Sequence, residues 1–532
     1  MGAPPDKQAD GPTHGATDKP SRTVERARTI GETRPERITV VGAGIAGLGA
    51  ALALSRHPQF EITVLERDAP PPVDGDPFFA WPRRGAAQFR HPHAFLGLLC
   101  NLLAEHYPDL LEELLQAGAR RLSFTDLLPP KALAAYKSEP DDEALWMLLV
   151  RRATVETTLR RYVERCANVS IRSATRVTGV KVDPSDAVPR VLGLDINRDE
   201  ALAADFVVDA CGRNSRLLPW LRASGIDIPE RREAADIVYY TRHYRLRPGA
   251  DEPPRQPDKP SAGDLGYLKY GCFPADQGHF ALILCLPLAE TALRDAIKQP
   301  KEFDRICRAI PGLAPWLDGR SEPTTEPFGI GDITAVWRDW VVDDVPQVLN
   351  YLPVGDAALR TNPLYGRGCS TSMLHAHLLA DTLAATRDPH ERALRFAAAT
   401  REQLRPIWRA SFAEDRRGKE RAVAEIAGSG PPRPGSIKEY LALSFGDALA
   451  AAAREDIGVI RGLQRTVNLL EKPGAFLETP KTRRTIFRYM LRGRRRNARS
   501  RLQPGPDRAT MHRLIDAEPP QVVPESSQTA QH

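Results

Sequence analysis

Apolar and polar positions change period several times along this chain, and the changes mark its elements. From position 37 the sequence reads RITVVGAG, a β-branched run that stops at glycines. It passes directly into IAGLGAALALSR, where Ala and Leu recur at helical spacing, and then into a second apolar run, FEITVLERD. Strand, tight turn, helix and strand in this order predict a βαβ unit of a parallel sheet. Helices are expected from about Gln88 to Gly118 and from about Arg152 to Arg165. Strands are expected at NVSIRSATRVTGVKVD, RVLGLDINR and ADFVVDACG. Between about Ala235 and Pro287 the period shortens: DIVYYTRHYRL, GYLKYGCF and HFALILCLP alternate around turn residues, as hairpins do. QVLNYLPVGDAA is one more strand, and beyond Gly368 the chain reads as helix almost throughout.

A chain of 532 residues is too long for one ordinary core, so more than one lobe is expected. Hydrophobic content of 42% and charged content of 27% describe a soluble globular protein. No apolar run approaches the ~18 to 20 residues of a membrane span. Residues 1–36 are polar, lack a signal peptide's apolar stretch and predict a disordered tail, as do residues 506–532. The seven scattered cysteines form no Cys-x-x-Cys pair, which points to a reduced, cytoplasmic protein without structural zinc. The net charge of +6 is local: residues 481–502 hold ten Lys or Arg and no acid, and the remainder of the chain is at −4.

Gly42, Gly44 and Gly47 form G-x-G-x-x-G between strand and helix, with Ala46 inside the loop. The first glycine serves the tight turn, the second admits a diphosphate, and the third lets the helix pack on the strand. A diphosphate would rest on the free N–H groups at the start of the helix. Glu66, followed by Arg67, ends the second strand, where a carboxylate accepts both ribose hydroxyls and disfavours a 2′-phosphate. This grouping predicts a dinucleotide.

Read together with Gly42 to Glu66, the segment VGDAALRTNPLYGRG resembles the second FAD-contacting motif of the class A flavoprotein monooxygenases. The resemblance runs over roughly residues 37–410. It implies FAD, bound non-covalently, with Asp356 on the ribityl chain or diphosphate and Pro363 shaping the turn beside the isoalloxazine. Gly366, Arg367 and Gly368 would set a helix N-terminus against flavin N1 and O2, where reduced flavin carries negative charge. RRATVETTLRR is similar to the family's Arg-x-x-Leu-Glu helix start and maps onto Arg152, Val155 and Glu156. It implies a diphosphate contact from Arg152, with Arg151 left as a surface charge.

The chain departs from the family's Gly-Ala-Asp-Gly segment, which here reads VVDACGRNSRLLPWL. Asp209 replaces the first glycine and Cys211 the acid, while Gly212, Ser215 and Arg216 remain. This form is similar to an epoxidase-like branch that includes squalene and polyether epoxidases and geranylgeranyl reductases. It leaves the electron source open between NADPH and a separate flavin reductase. WPRRGAAQFRHPHAF also resembles that branch, with Arg84, Gly85, Gln88, His91 and His93 on a loop over the flavin. No third ligand accompanies the two histidines, so no metal is expected.

The resemblance implies an α/β fold: a Rossmann-like FAD-binding domain (37–225 and 335–410), an inserted mixed or antiparallel substrate-binding sheet (226–334), and a helical C-terminal extension (411–505). It also implies a monooxygenase, hydroxylating or epoxidising a hydrophobic secondary metabolite with O2 through a flavin C4a-hydroperoxide. Tyr239, Tyr240, Tyr244, Tyr267, Tyr270 and Phe273 would give the inserted sheet an aromatic surface for a lipophilic substrate. A prenyl-chain reductase and a non-catalytic flavin-binding scaffold stay open beside it. No catalytic side chain stands out, because the chemistry resides in the flavin. In RRTIFRYMLRGRRR, Ile486, Phe487, Met490 and Leu491 make an apolar stripe among arginines. The stripe either docks on the FAD domain or makes a peripheral membrane contact through 481–502; nucleic acid is not an expected partner.

Overall fold

The computed structural model describes residues 1–2, 34–197, 200–256, 258–428, 434–499 and 504–516. The fold below is that of the unit beginning at Glu36. The tail expected over residues 1–36 lies outside the described residues for positions 3–33, as do 517–532 at the other end.

The first layer is a parallel sheet. β1 (Glu36–Val41), α1 (Ile45–Ser55) and β2 (Phe60–Leu65) form the expected βαβ unit. Between β2 and the next sheet strand come α2 (Gly97–His106), α3 (Pro108–Gln116) and α4 (Arg152–Val163). β3 (Val169–Arg172) and β4 (Phe206–Asp209) follow. The helix expected from Gln88 to Gly118 starts nine positions later and is broken, because Tyr107 precedes a proline and takes an extended φ of −143°. Residues 88–96 instead form a loop against the sheet.

The second layer is antiparallel. β5 (Glu230–Ala234), β6 (Ile237–Leu246), β7 (Lys269–Pro274), β8 (His279–Pro287), β9 (Phe328–Ile330) and β10 (Thr334–Arg338) come next in the chain. β8 pairs with both β7 and β6 across the expected hairpins. β11 (Tyr351–Pro353) then returns to the parallel sheet, whose order is β11-β4-β1-β2-β3. β12 (Leu359–Arg360) completes a three-stranded sheet β5-β10-β12 beside it.

Helices finish the chain: α5 (Gly368–Ala385), α6 (Arg405–Ile426), α7 (Ile437–Glu455), α8 (Pro480–Leu491) and α9 (Arg508–Asp516). α1 and α5 are both buried nearly all round, and they pack together over β1, β2 and β4 in the main core. α9 corrects the tail expected from residue 506. Its Met511 is fully buried against the antiparallel sheet, and Arg508 and His512 both pair with buried Glu290.

The aromatic surface expected on the antiparallel sheet is corrected as well. Side chains alternate along β6, so Tyr239, Thr241 and His243 face one way and Tyr240 and Tyr244 the other. Tyr240, Tyr244, Tyr267 and Tyr270 are buried in a core behind the sheet, together with helices over residues 291–309. The periodicity marked the strand, but both of its faces are buried and the sequence carried no sign of which one meets the cavity.

Candidate active site

Between the two layers lies a cavity of about 680 Å³. Of the residues expected to hold a cofactor, Gly42, Gly44, Ala46, Glu66, Arg67, Arg152, Asp356, Pro363, Gly366 and Gly368 line it. These ten come from the glycine loop, the end of β2, the start of α4 and the turn before α5.

The glycine loop is shaped by contacts. Gly42 has φ of +104°, and a Cβ there would lie 2.7 Å from the Ala210 carbonyl oxygen. Gly47 does not face the cavity: a Cβ on it would fall 1.8 Å from the Gly42 carbonyl oxygen, so its hydrogen lets α1 meet the turn. Gly44 is different. Its backbone is extended, and a Cβ would meet only the Arg152 guanidinium, at 3.9 Å. No protein atom demands glycine at this position, whereas a diphosphate on the N-terminus of α1 would.

Glu66 is held on three sides. Its carboxylate accepts from the Ala43 and Asp68 backbone N–H groups, each at 2.9 Å, and lies 3.0 Å from Arg83. Burial alone would raise its pKa, but Arg83 and the two N–H groups outweigh that and keep it below the ordinary carboxylate range. Arg83 also pairs with Asp68 at 3.3 Å and Glu156 at 3.2 Å, and donates to the Ala43 carbonyl at 2.9 Å. It is the centre of the site's buried charge network. Sequence reasoning passed over it for its neighbour Arg84, which is exposed. Nothing in a two-arginine run tells which side chain turns inward.

Arg152 is paired with Glu156 at 2.6 Å and donates to His93 Nε2 at 3.0 Å. The acceptor role of Nε2 leaves the proton on Nδ1, which donates to the His91 carbonyl at 2.8 Å. Burial and the Arg152 charge push the His93 pKa well down, so the ring is neutral. His91 bonds through Nδ1 to Thr241 at 2.9 Å. The two histidines thus fasten the 88–96 loop, one to Arg152 and one to β6. Arg151 is not a surface charge: it is buried and pairs with Asp276 at 2.6 Å and Asp76 at 2.6 Å.

Asp356 lines the cavity with no hydrogen bond or ion pair to its carboxylate among the described residues, and burial raises its pKa. Such a group suits hydroxyls of a bound ligand. Asp209 and Cys211, the departures from the family segment, have structural surroundings. Asp209 accepts from the Cys211 N–H at 2.9 Å, Ser215 Oγ at 2.5 Å and Tyr351 Oη at 2.8 Å. Cys211 donates weakly to the Val41 carbonyl at 3.4 Å, and burial with the nearby Asp209 keeps it a thiol.

Gly366 has φ of +66°, and a Cβ on it would meet Ala94 at 2.6 Å. Arg367 corrects an expectation: its side chain turns away from the cavity to Ser411 Oγ and to Glu414, at 3.0 Å, on α6. Only its backbone remains beside the start of α5. On the same helix Asp415 accepts from Asn362 Nδ2 at 2.7 Å and Tyr365 Oη at 2.9 Å. The turn that should face the flavin is therefore gripped from behind by α6, a contact invisible in sequence because some fifty positions separate its partners.

Residues 40–71 match the model of the NAD(P)-binding Rossmann-like domain. Over 399 residues the chain is 27% identical to Protein Rv3254 of Mycobacterium tuberculosis, covering 70% of this chain and 78% of that protein. The Diels-Alderase PyrE3 of the pyrroindomycin biosynthetic pathway is similar in structure, with a TM-score of 0.52 at 18% identity over 82% of this chain and 81% of that one. pqsL of Pseudomonas aeruginosa, a probable FAD-dependent monooxygenase, gives a TM-score of 0.48 at 17% identity over 81% of this chain and 99% of that one. The fold is thus a mixed α/β one, in which a parallel Rossmann-type sheet meets antiparallel sheets and a helical C-terminal region.

Proposed function

We propose that the chain is an FAD-dependent monooxygenase that inserts one oxygen atom of O2 into an organic substrate. The observation that carries this reading is the co-location of two motifs far apart in the chain: Gly44 and Glu66 line the same cavity as Asp356, Pro363 and Gly368. FAD fits the residues present. Gly44 leaves room for a diphosphate that no protein atom fills, Arg152 supplies positive charge beside it, and the Asp356 carboxylate is free for ribityl hydroxyls. The N-terminus of α5 would support negative charge on the flavin ring. Bound there, the flavin would supply the oxygen chemistry, while this chain orients the substrate and excludes water. The Asp-Ala-Cys-Gly-Arg segment supports placing it in the epoxidase-like branch. The reaction in this reading is hydroxylation or epoxidation of a hydrophobic secondary metabolite, with NADPH or a separate flavin reductase as the electron source.

The fold does not by itself fix the reaction, since PyrE3 is a Diels-Alderase. The test has two parts. Purified protein is expected to be yellow and to release its flavin on denaturation. With reduced flavin, O2 and candidate substrates, it is expected to consume O2 in a substrate-dependent way and give a product 16 mass units heavier. Product formation without O2 uptake would favour a reductase or cyclase instead.

A further inference from the structure

Not every charged group that lines the cavity has an ion-pair partner among the described residues. Around Glu66 the cations are matched: Arg83 serves three carboxylates and Arg152 pairs with Glu156. Arg176 and Arg216 also line the cavity but are exposed at its rim. Two further arginines, Arg213 and Arg360, are half-buried in its wall, and the Asp356 carboxylate acts on both from beyond ion-pair distance.

Arg213 lies in the turn after β4, one residue beyond Gly212. Arg360 stands on β12, opposite Val336 of β10, and its Nε donates to the Thr334 carbonyl at 2.8 Å. That bond fixes the stem and leaves the terminal nitrogens unengaged. Among the described residues no carboxylate lies within ion-pair distance of either guanidinium. The neighbouring cations are satisfied, for Glu230 holds Arg338 at 3.1 Å and Arg232 at 3.3 Å. The Arg360 pKa is lowered by burial, with the charges of Arg338, Arg213 and Arg232 adding to it against Asp356. Tyr239, the tyrosine of β6 that lines the cavity with Ile330 and Ile333, has its pKa raised by burial, with the charges of Arg213 and Arg152 opposing the rise.

A half-buried cation with no carboxylate within ion-pair distance is costly, and an anionic ligand reduces that cost. In the flavin reading the diphosphate rests on Gly44 and Arg152 at the start of α1. We propose that Arg213 and Arg360 form an oxyanion-binding subsite on the substrate side, beside Tyr239, which takes the carboxylate or phosphate of a second ligand. The inference rests on the flavin reading of the cavity and refines it: the second ligand is an amphiphile with an acidic group, not a purely apolar molecule. Two sources share this chemistry, an acid group of the substrate and the phosphates of a nicotinamide reductant.

The test is calorimetric titration of the FAD-loaded protein with benzoate, with NADPH, and with benzamide as the uncharged control. It is repeated for Arg213→Gln, Arg360→Gln and the double variant. At least one anion is expected to bind, and each single substitution to weaken it about tenfold or more, with benzamide binding and FAD retention unchanged. A loss confined to benzoate assigns the subsite to the substrate's acid group, and a loss for NADPH assigns it to the reductant. The proposal is overturned if neither anion binds the unmodified protein or if the double variant binds both as tightly. It is also overturned if the variants release FAD, since the pair would then belong to the dinucleotide cradle. A chain that never takes up FAD would count against the flavin reading alone, because the anion titrations can be read without it.

Discussion

Arg83 and Glu66 stand 3.0 Å apart with both side chains buried, and the same guanidinium reaches Asp68 and Glu156. One cation thus joins the end of β2, the turn after it and α4 beneath the glycine loop. Removing one partner from a buried ion pair costs about 3–5 kcal/mol, because the remaining charge is left uncompensated. Arg83→Met is expected to lose stability in that range at neutral pH, measured by denaturant unfolding. A loss near that of a surface pair, about 1 kcal/mol or less, would show that the network contributes little.

The same pair sets a pH dependence. The folded pKa of Glu66 is below its ordinary value despite burial, because Arg83 and two backbone N–H groups act on it. A depressed folded pKa gives stability that is present above the unfolded value of about 4.3 and lost as pH falls through the folded one. Without Arg83, burial acts on Glu66 with less opposition, so the loss should begin at higher pH. The acid-unfolding midpoint of Arg83→Met is therefore expected to move upward. Superimposable acid transitions for the two proteins would contradict the assignment.

Gly44 and Gly47 sit in one motif but should fail differently. Gly44→Val places its side chain in open space with an allowed backbone, so the fold should survive and FAD binding should be lost. Gly47→Val drives Cβ into the Gly42 carbonyl, and α1 cannot pack. Thermal unfolding and flavin titration on both variants separate these outcomes. A Gly44→Val protein that retains FAD would remove the diphosphate from this loop.

Much of this site was legible in the sequence. β1, α1 and β2 were, because strand and helix periods meet at glycines with nothing between them. The hairpins of β6, β7 and β8 were too, since turn residues interrupt apolar alternation. Arg83, Asp415 and the burial of Arg151 were not. Each is defined by a partner far along the chain, Glu156, Asn362 and Asp276 respectively, and a single sequence carries no distance information. The Arg367 side chain was misplaced for the same reason: its partners lie on α6, whose docking site the helical pattern could not name.

Asp415 is expected to matter for the cofactor although it lies behind the cavity wall. It holds Asn362 and Tyr365, which flank Pro363 in the turn leading to Gly366. Asp415→Ala removes both acceptors while leaving the apolar contacts of α6, through Ile407 and Trp408, in place. FAD affinity should fall about tenfold with a native-like circular dichroism spectrum, for the loss of two hydrogen bonds to a charged group. Asp415→Asn keeps one acceptor and should lie between. Unchanged flavin affinity in both variants would show that the turn keeps its shape without α6.

The last expectation concerns the basic helix α8. The stripe foreseen there divides in the structure. Ile486 and Tyr489 are buried with Met490 packed beside them, all in a small core with α7 rather than on the parallel-sheet layer. Phe487 and Leu491 stay exposed, at 60% and 73%. Arg488, Arg492 and Arg494 are drawn to acids at 3.6, 2.7 and 2.8 Å, so they hold the helices together and are less available to a partner. No helix among the described residues is long and apolar enough to cross a membrane. A surface contact needs less. Burying Phe487 and Leu491 in an acyl boundary is worth about 1.5–3 kcal/mol each, and each remaining arginine near an anionic leaflet about 1 kcal/mol. The protein is therefore expected to sediment with phosphatidylglycerol vesicles at low salt and to be released at high salt, where the Debye length shortens. Phe487→Ser with Leu491→Ser should abolish sedimentation without altering thermal stability, because neither side chain is packed. Equal recovery in the supernatant for both proteins at low salt would restrict α8 to its role in joining α7.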